Sequence, residues 1–309
     1  MILNPANTAD LAQALQDASA RRLKVERVDL GSLNRVLEHR PEDMTVTVQA
    51  GLTLAALQQS LARHNQWLPV DPPHAGRLSL REIIDRNPSG PRRFGLGTVR
   101  DYVIGIRVVL ADGTVINSGG KVVKNVAGYD LAKLFIGGHG SLGVVVEVTF
   151  KLRPLPESER FVSARCETPG RAGEILETLA ASELTPAVLD LHRLSAGEAS
   201  FLVAGFAGSR EEVEWQLARA AELGLRDPGS LDHETQFWNN PGEVQRRSVL
   251  PSKLPDAIRE LNGGGFVARA GDGVVYHRGP AAPRQTPQPE LTRRVKSAFD
   301  PHGILPDMG

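Results

Sequence analysis

The sequence is poor in cysteine, with a single thiol, Cys166, in 309 residues. A lone cysteine excludes an internal disulfide and a cysteine-held metal cluster in this chain. Such sparing use fits a reducing compartment. An excess of either charge is also missing. Lysine plus arginine number 36 and aspartate plus glutamate number 36, so no net field favours nucleic acid or an anionic membrane. No apolar run approaches the roughly 20 residues of a membrane-crossing helix. The first ten residues lack the basic start and apolar core of a signal peptide. These absences predict a cytoplasmic protein that meets a membrane only through a partner. The 8 histidines are dispersed, with no His-x-His or His-x-x-x-His pair, so their spacing predicts no metal site. A Gly-x-Gly-x-x-Gly turn between strand and helix, a Gly-Lys-Ser or Gly-Lys-Thr phosphate loop and a Gly-x-Ser-x-Gly elbow are all absent.

What is present is ordinary globular composition, 41% hydrophobic and 23% charged, in a chain long enough for two cores. Apolar spacing predicts helices over 8–22, with Thr8 as cap, and over 54–64, capped by Thr53. Alternation predicts strands over 44–50, 102–111, 114–117 and 142–152, with Asp112-Gly113 as a hairpin turn. Residues 33–37 read as a short helical or strand-edge piece. Five prolines break 68–97 into an irregular stretch, relieved by a short helix at 80–85. Beyond Pro154 and Pro156 the order changes to strand 161–166, helix 171–181, strands 187–192 and 200–206, and helix 211–223. Helix 254–261, a hairpin of 266–270 with 274–277, a proline-rich connector and helix 291–299 complete the chain. This β-α-β-β-α order predicts an antiparallel sheet covered by helices on one face. The fold class expected is α+β, divided at 1–156, 157–285 and 286–309.

Chemistry concentrates between Gly95 and Gly143. The segment holds Gly95-Leu-Gly97-Thr98, Arg100-Asp101, Gly119-Gly120, Lys124-Asn125 and Gly137-Gly138-His139-Gly140-Ser141-Leu142-Gly143. Glycine permits positive φ and close approach of main chain to a ligand, so bare amides here can cradle a phosphate or a heteroaromatic ring. The same glycines would also serve tight β turns. His139 reads as exposed rather than catalytic. Trp67, Trp215 and Trp238 read as packing residues.

Several strings resemble the FAD-linked oxidases, the superfamily typified by p-cresol methylhydroxylase and vanillyl-alcohol oxidase, and within it the FAD-binding subunits of glycolate oxidases. They are Val48-Gln-Ala-Gly51, Leu68-Pro-Val-Asp71-Pro72-Pro73, Ser89-Gly-Pro-Arg92, Arg100-Asp-Tyr-Val-Ile-Gly105, Gly120-Lys-Val-Val-Lys124-Asn-Val-Ala-Gly-Tyr-Asp130 and Gly140-Ser-Leu-Gly-Val144. The tail Ala298-Phe-Asp-Pro-His-Gly-Ile304 resembles the family's return to the FAD-binding domain. The resemblance implies a PCMH-type FAD-binding domain of two small α/β subdomains, then an α+β cap. It implies FAD as cofactor, a small 2-hydroxy acid as substrate, and a second FAD subunit and an iron–sulfur subunit as partners. Asp71 and Pro72 would border the flavin ring. Gly97, Thr98, Arg100 and Asp101 would follow the ribityl and pyrophosphate groups. Lys124 and Asn125 would face the flavin or its phosphates. Gly138, Gly140, Ser141, Gly143 and Val144 would meet the adenosine end.

Two departures from the family pattern stand out. The Gly-Gly-x-Thr-like pyrophosphate loop after the first helix, with its flanking strand, is missing between Arg21 and Leu33. The Thr-x-Gly-Gly turn after Pro73 is replaced by Arg77-Leu-Ser-Leu-Arg-Glu-Ile-Ile-Asp85. Arg77, Arg81 or Arg92 would be candidates to pair with phosphate in their place. The departures raise a second reading, a scaffold subunit that keeps the fold without a working flavin site.

Overall fold

The computed structural model describes residues 1–120, 130–279 and 289–307. The chain opens with Ile2–Leu3, which pairs in parallel with Arg27–Val28 around helix α1 (Thr8–Ala20). The flanking strand expected to be missing is thus shortened to two residues. Asn7, not Thr8, caps α1. Asn7 is extended and its side chain accepts from the Asp10 amide at 3.0 Å, three residues on, as a cap must. The helix ends before the predicted 22 because Arg22 turns left-handed at φ 53°. Leu11 and Leu15 are fully buried, each stabilising by about 1.5–3 kcal/mol.

A 5-stranded antiparallel sheet follows, built from β1 (Val36–Arg40), β2 (Thr45–Gln49), β3 (Val103–Val109), β4 (Val115–Gly119) and β5 (Val144–Lys151), in the order β1-β2-β5-β3-β4. The central strand β5 reads Val-Val-Val-Glu-Val-Thr-Phe because neighbours cover both its faces. Thr47 and Thr149, opposite each other on β2 and β5, share a buried hydrogen bond of 2.9 Å. Helices α2 (Leu54–Ala62) and α3 (Leu80–Arg86) join α1 and this sheet in one core. Ser79 and Glu82 close a reciprocal cap on α3, which fixes its start.

The second half carries a 7-stranded antiparallel sheet. Its strands are β6 (Ser158–Cys166), β7 (Val188–Arg193), β8 (Ser200–Gly208), β9 (Asp227–Pro228), β10 (Val244–Ser248), β11 (Phe266–Arg269) and β12 (Val274–Arg278), ordered β9-β6-β8-β7-β11-β12-β10. Helices α4 (Pro169–Ala180), α5 (Arg210–Glu222) and α7 (Leu254–Arg259) cover one face. The opposite face is covered too. Phe237 of α6 (Asp232–Asn239), a helix not expected from the sequence, packs on Val267, Val274 and Tyr276. The alternation of β11 explains both layers: Phe266 and Ala268 face one core, Val267 and Arg269 the other.

Helix α8 (Pro289–Phe299) brings the tail to the first core. The Asp300 carboxylate accepts the amides of Ile304 (2.9 Å) and Leu305 (2.8 Å), and Ile304 O accepts from Val25 N at 2.8 Å. Lys296 Nζ donates to Ser141 O at 2.8 Å, and Phe299 meets Phe135 edge to face. Among the described residues no helix is long and apolar enough to cross a membrane.

Candidate functional site

The two halves meet along residues 89–95. Asp71 lies at this seam, and its Oδ2 accepts from Arg92 through the amide (3.2 Å) and Nη1 (2.9 Å). Burial pushes the Asp71 carboxyl up to about 6, against the opposing pull of Arg92 and then Arg269. The Arg92 guanidinium turns its other edge to Glu159 of β6, with paired bonds of 2.7 and 2.6 Å. The fork geometry suits a carboxylate. Glycine is required at position 90, where a Cβ would overlap the Asp71 carbonyl at 1.9 Å. Arg93 reaches Ser89 Oγ at 2.6 Å and Asp272 at 3.6 Å. Pro72 is buried beside this network.

Across the seam lies a buried charged cluster. Asp190 of β7 and Arg269 of β11 are cross-strand partners, joined at 2.7 Å and 0% and 1% exposed. Glu234 of α6 grips the same guanidinium at 2.7 and 2.8 Å, and His233 Nε2 lies 3.1 Å from Asp190 Oδ2. His192 stacks on His233 with centroids 4.1 Å apart, and burial, then His233, pushes its imidazole down to about 3. Asp190, His233 and Glu234 present ligand-type atoms within 4.8 Å of one another, with the Arg269 cation already bonded to both carboxylates. The cluster was missed from sequence. Its one signal is a charged residue at a core-facing register of an apolar strand.

The predicted site residues fall into separate groups. Gly97, at φ +84°, precedes a single turn, Val99–Tyr102, in which Thr98 N and Oγ1 donate to Asp101 Oδ2 at 2.7 and 3.2 Å. Arg100 Nη1 donates to Lys133 O at 3.3 Å. Thr98, Asp101 and Arg100 are therefore bonded within the protein. Lys124 and Asn125 lie outside the described residues. In the glycine turn, Ser141 Oγ donates to Gly138 O, Gly143 leaves room for Val108, where a Cβ would sit 2.7 Å from its methyl, and Val144 opens β5 fully buried. Most of the amides expected as bare donors are engaged within the chain. The amides of Gly95, Gly97, Gly120, Gly137, Gly138, His139 and Ser141 all donate to carbonyls of the chain. Tight turns satisfy their own donors.

A polar cavity of about 620 Å³ opens beside that turn. Its walls are the 28–31 loop, Gly51, α3 and His139. Arg27, Arg81, Arg86 and His139 supply the basic groups; Glu26, Asp29, Glu82 and Asp85 supply the acids. Gly51 lets the loop close in, since a Cβ there would lie 2.0 Å from Leu30 O. A second cavity, about 780 Å³ and largely apolar, runs between Phe94–Leu96 and the helices α4 and α7.

Comparison with known proteins places this architecture. Residues 27–119, which span the loop, α3 and the seam segment, match the model of an FAD binding domain. Glycolate oxidase subunit GlcE of Escherichia coli is 29% identical, over 91% of this chain and 85% of its own length. The chain is thus similar to subunits of glycolate oxidases and carries an FAD binding domain. Glycolate oxidase subunit GlcD of Bacillus subtilis is 37% identical over 51% of the chain, which spans only 34% of that subunit's length. A solved alkyldihydroxyacetonephosphate synthase superposes with a TM-score of 0.73 over 98% of this chain and 75% of its own, at 16% identity, which speaks to fold alone. The scaffold reading is not favoured by these matches, and the matched domain indicates FAD as the cofactor. The polar cavity fits the diphosphate of that cofactor in its donor chemistry. Three arginines and a histidine line it, and Arg81 Nε is enclosed without a hydrogen bond.

Proposed function

We propose that the chain is the FAD-binding subunit of a 2-hydroxy-acid oxidoreductase of the glycolate oxidase type, at work in the cytoplasm. A second FAD subunit and an iron–sulfur subunit are its proposed partners. The observation that carries this reading is the similarity to GlcE along 91% of the chain. That GlcD and GlcE are both named as glycolate oxidase subunits supports a multi-subunit assembly. The cofactor would supply a two-electron acceptor for the hydride of the hydroxyl-bearing carbon. In this reading residues 1–156 hold the cofactor, 157–285 cover the substrate, and 286–309 close back on the first part.

The chain's own side chains build the junction where a small hydroxy acid would be shielded from water. Arg92 ties Asp71 to Glu159, Arg93 reaches Asp272, and Arg269 Nη2 approaches Ser89 O at 3.5 Å. In this reading Asp71 and Pro72 border the flavin, Gly97, Thr98, Arg100 and Asp101 lie along its ribityl and pyrophosphate groups, and the turn that holds Gly138, Gly140, Ser141, Gly143 and Val144 lies at the adenosine end. The test is dye reduction driven by glycolate or another 2-hydroxy acid, with the chain alone and combined with the two proposed partner types. Turnover is expected only in the combination. Robust turnover by the isolated chain would overturn the assignment of partners.

A further inference from the structure

The cavity beside the glycine turn is short of main-chain donors. Gly137 N donates to Ile84 O and His139 N to Asp85 O, both at 2.8 Å, so α3 itself caps the turn. On the loop side, Gly31 N donates to Asp29 Oδ1 at 2.9 Å and Leu33 N to Leu30 O at 2.8 Å. The amides that open α3 are engaged as well: Leu80 N with Leu52 O, Arg81 N with Ala50 O, and Glu82 N with Ser79 Oγ. With most amides engaged, those of Leu30 and Gly140 excepted, an anion entering here meets chiefly side chains.

Arg81 is the best placed of them. Its Nη1 is anchored on Val28 O at 2.5 Å, and its Nε faces Asp85 Oδ2 at 3.2 Å. Nη2 has no hydrogen-bond partner among the described residues, and it lies 3.4 Å from where a Gly140 Cβ would be. The guanidinium thus spans the gap between loop and glycine turn while 18% exposed. Each acid of the cavity has a partner: Glu26 the amino terminus, Asp29 the Gly31 amide and Arg27, Glu82 the cap of Ser79, and Asp85 Arg81. Burial also pushes the Asp85 carboxyl up, which lessens its competition for the guanidinium. Of the other arginines considered from sequence, Arg92 is held by Asp71 and Glu159, and Arg77 does not line the cavity.

We propose that this chain holds the diphosphate of FAD by the side chain of Arg81, assisted by Arg86 and His139, in place of main-chain amides. The inference rests on the assignment of FAD above. With Nη1 and Nε engaged, Nη2 is the atom left to give a phosphate a charge-assisted bond, and its Coulomb attraction is screened by salt where peptide donors are less affected.

The experiment is a titration of the full chain with FAD, ADP and riboflavin, followed by quenching of flavin fluorescence and, for ADP, by calorimetry. Arg81→Gln is expected to weaken FAD and ADP roughly 10- to 150-fold, the loss of a charge-assisted bond, and to leave riboflavin unchanged. FAD affinity should also fall with ionic strength. Because Arg81 also anchors Val28 O, Arg86→Gln, at an exposed position, serves as a second variant and should weaken FAD by a smaller factor without touching the fold. FAD binding that is indifferent to both variants and to salt would overturn this inference and leave the cofactor assignment standing. A parent chain that binds no FAD at all would overturn both.

Discussion

Replacing Arg269 by methionine should cost the second half about 3–5 kcal/mol of stability. The guanidinium makes one bond to Asp190 at 2.7 Å and two to Glu234 at 2.7 and 2.8 Å. Charge-assisted bonds are worth about 1.5–3 kcal/mol each, but their sum is not the loss, because desolvating three charges offsets most of the gain. The decisive term is what remains after removal. Asp190 is 0% exposed and would keep the hydrogen bond to His233 as its one remaining side-chain bond among the described residues, whereas Glu234 at 13% exposure can recover water. Asp190→Asn in the Arg269→Met background removes that stranded charge and should restore most of the lost stability, the signature of coupling in a double-mutant cycle. Urea unfolding at unchanged slope measures both steps. A single-variant loss below about 1 kcal/mol, or a second substitution that adds to the damage, would refute the reasoning.

Two further outcomes follow from the geometry. Gly51→Ala places a Cβ 2.0 Å from Leu30 O and 2.6 Å from Leu33 O, so the 28–33 loop must move; a loss of about 1–3 kcal/mol or more is expected by calorimetric melting, and a neutral substitution would show that the loop is not seated there. Asp71 has a raised carboxyl, so its folded form binds the proton more tightly than the unfolded chain does, and its favourable contribution is present below the usual 3.8 and is lost as pH rises through about 6. The parent should therefore lose stability relative to Asp71→Asn between those two values, read as the difference between two melting-temperature profiles; a flat difference would contradict the seam described here.

Much of the fold could be read from periodicity. Leu11, Leu15 and Ala18 marked α1, and the alternation of Val144, Val146, Val148 and Phe150 marked β5, because burial imposes those periods. The helix at Asp232–Asn239 was invisible: it reads Asp-His-Glu-Thr-Gln-Phe-Trp-Asn, with two polar residues turned inward, His233 to Asp190 and Glu234 to Arg269. A helix that docks by charge carries little apolar signal. The candidate site was half legible. That the stretch from Arg77 to Asp85 lacks a glycine pair could be seen in the sequence, but not that α3 would engage the amides of Gly137 and His139. Glycine density told of close main-chain approach without saying whether the chain approaches a ligand or itself.

The account turns on FAD being held by residues of the 27–119 segment. The direct measurement is the visible spectrum and flavin content of the purified full-length chain, before and after denaturation. A yellow protein that releases stoichiometric FAD, and rebinds it from solution with quenching, is what the structure predicts. A colourless chain that leaves FAD fluorescence unchanged at every concentration would contradict it.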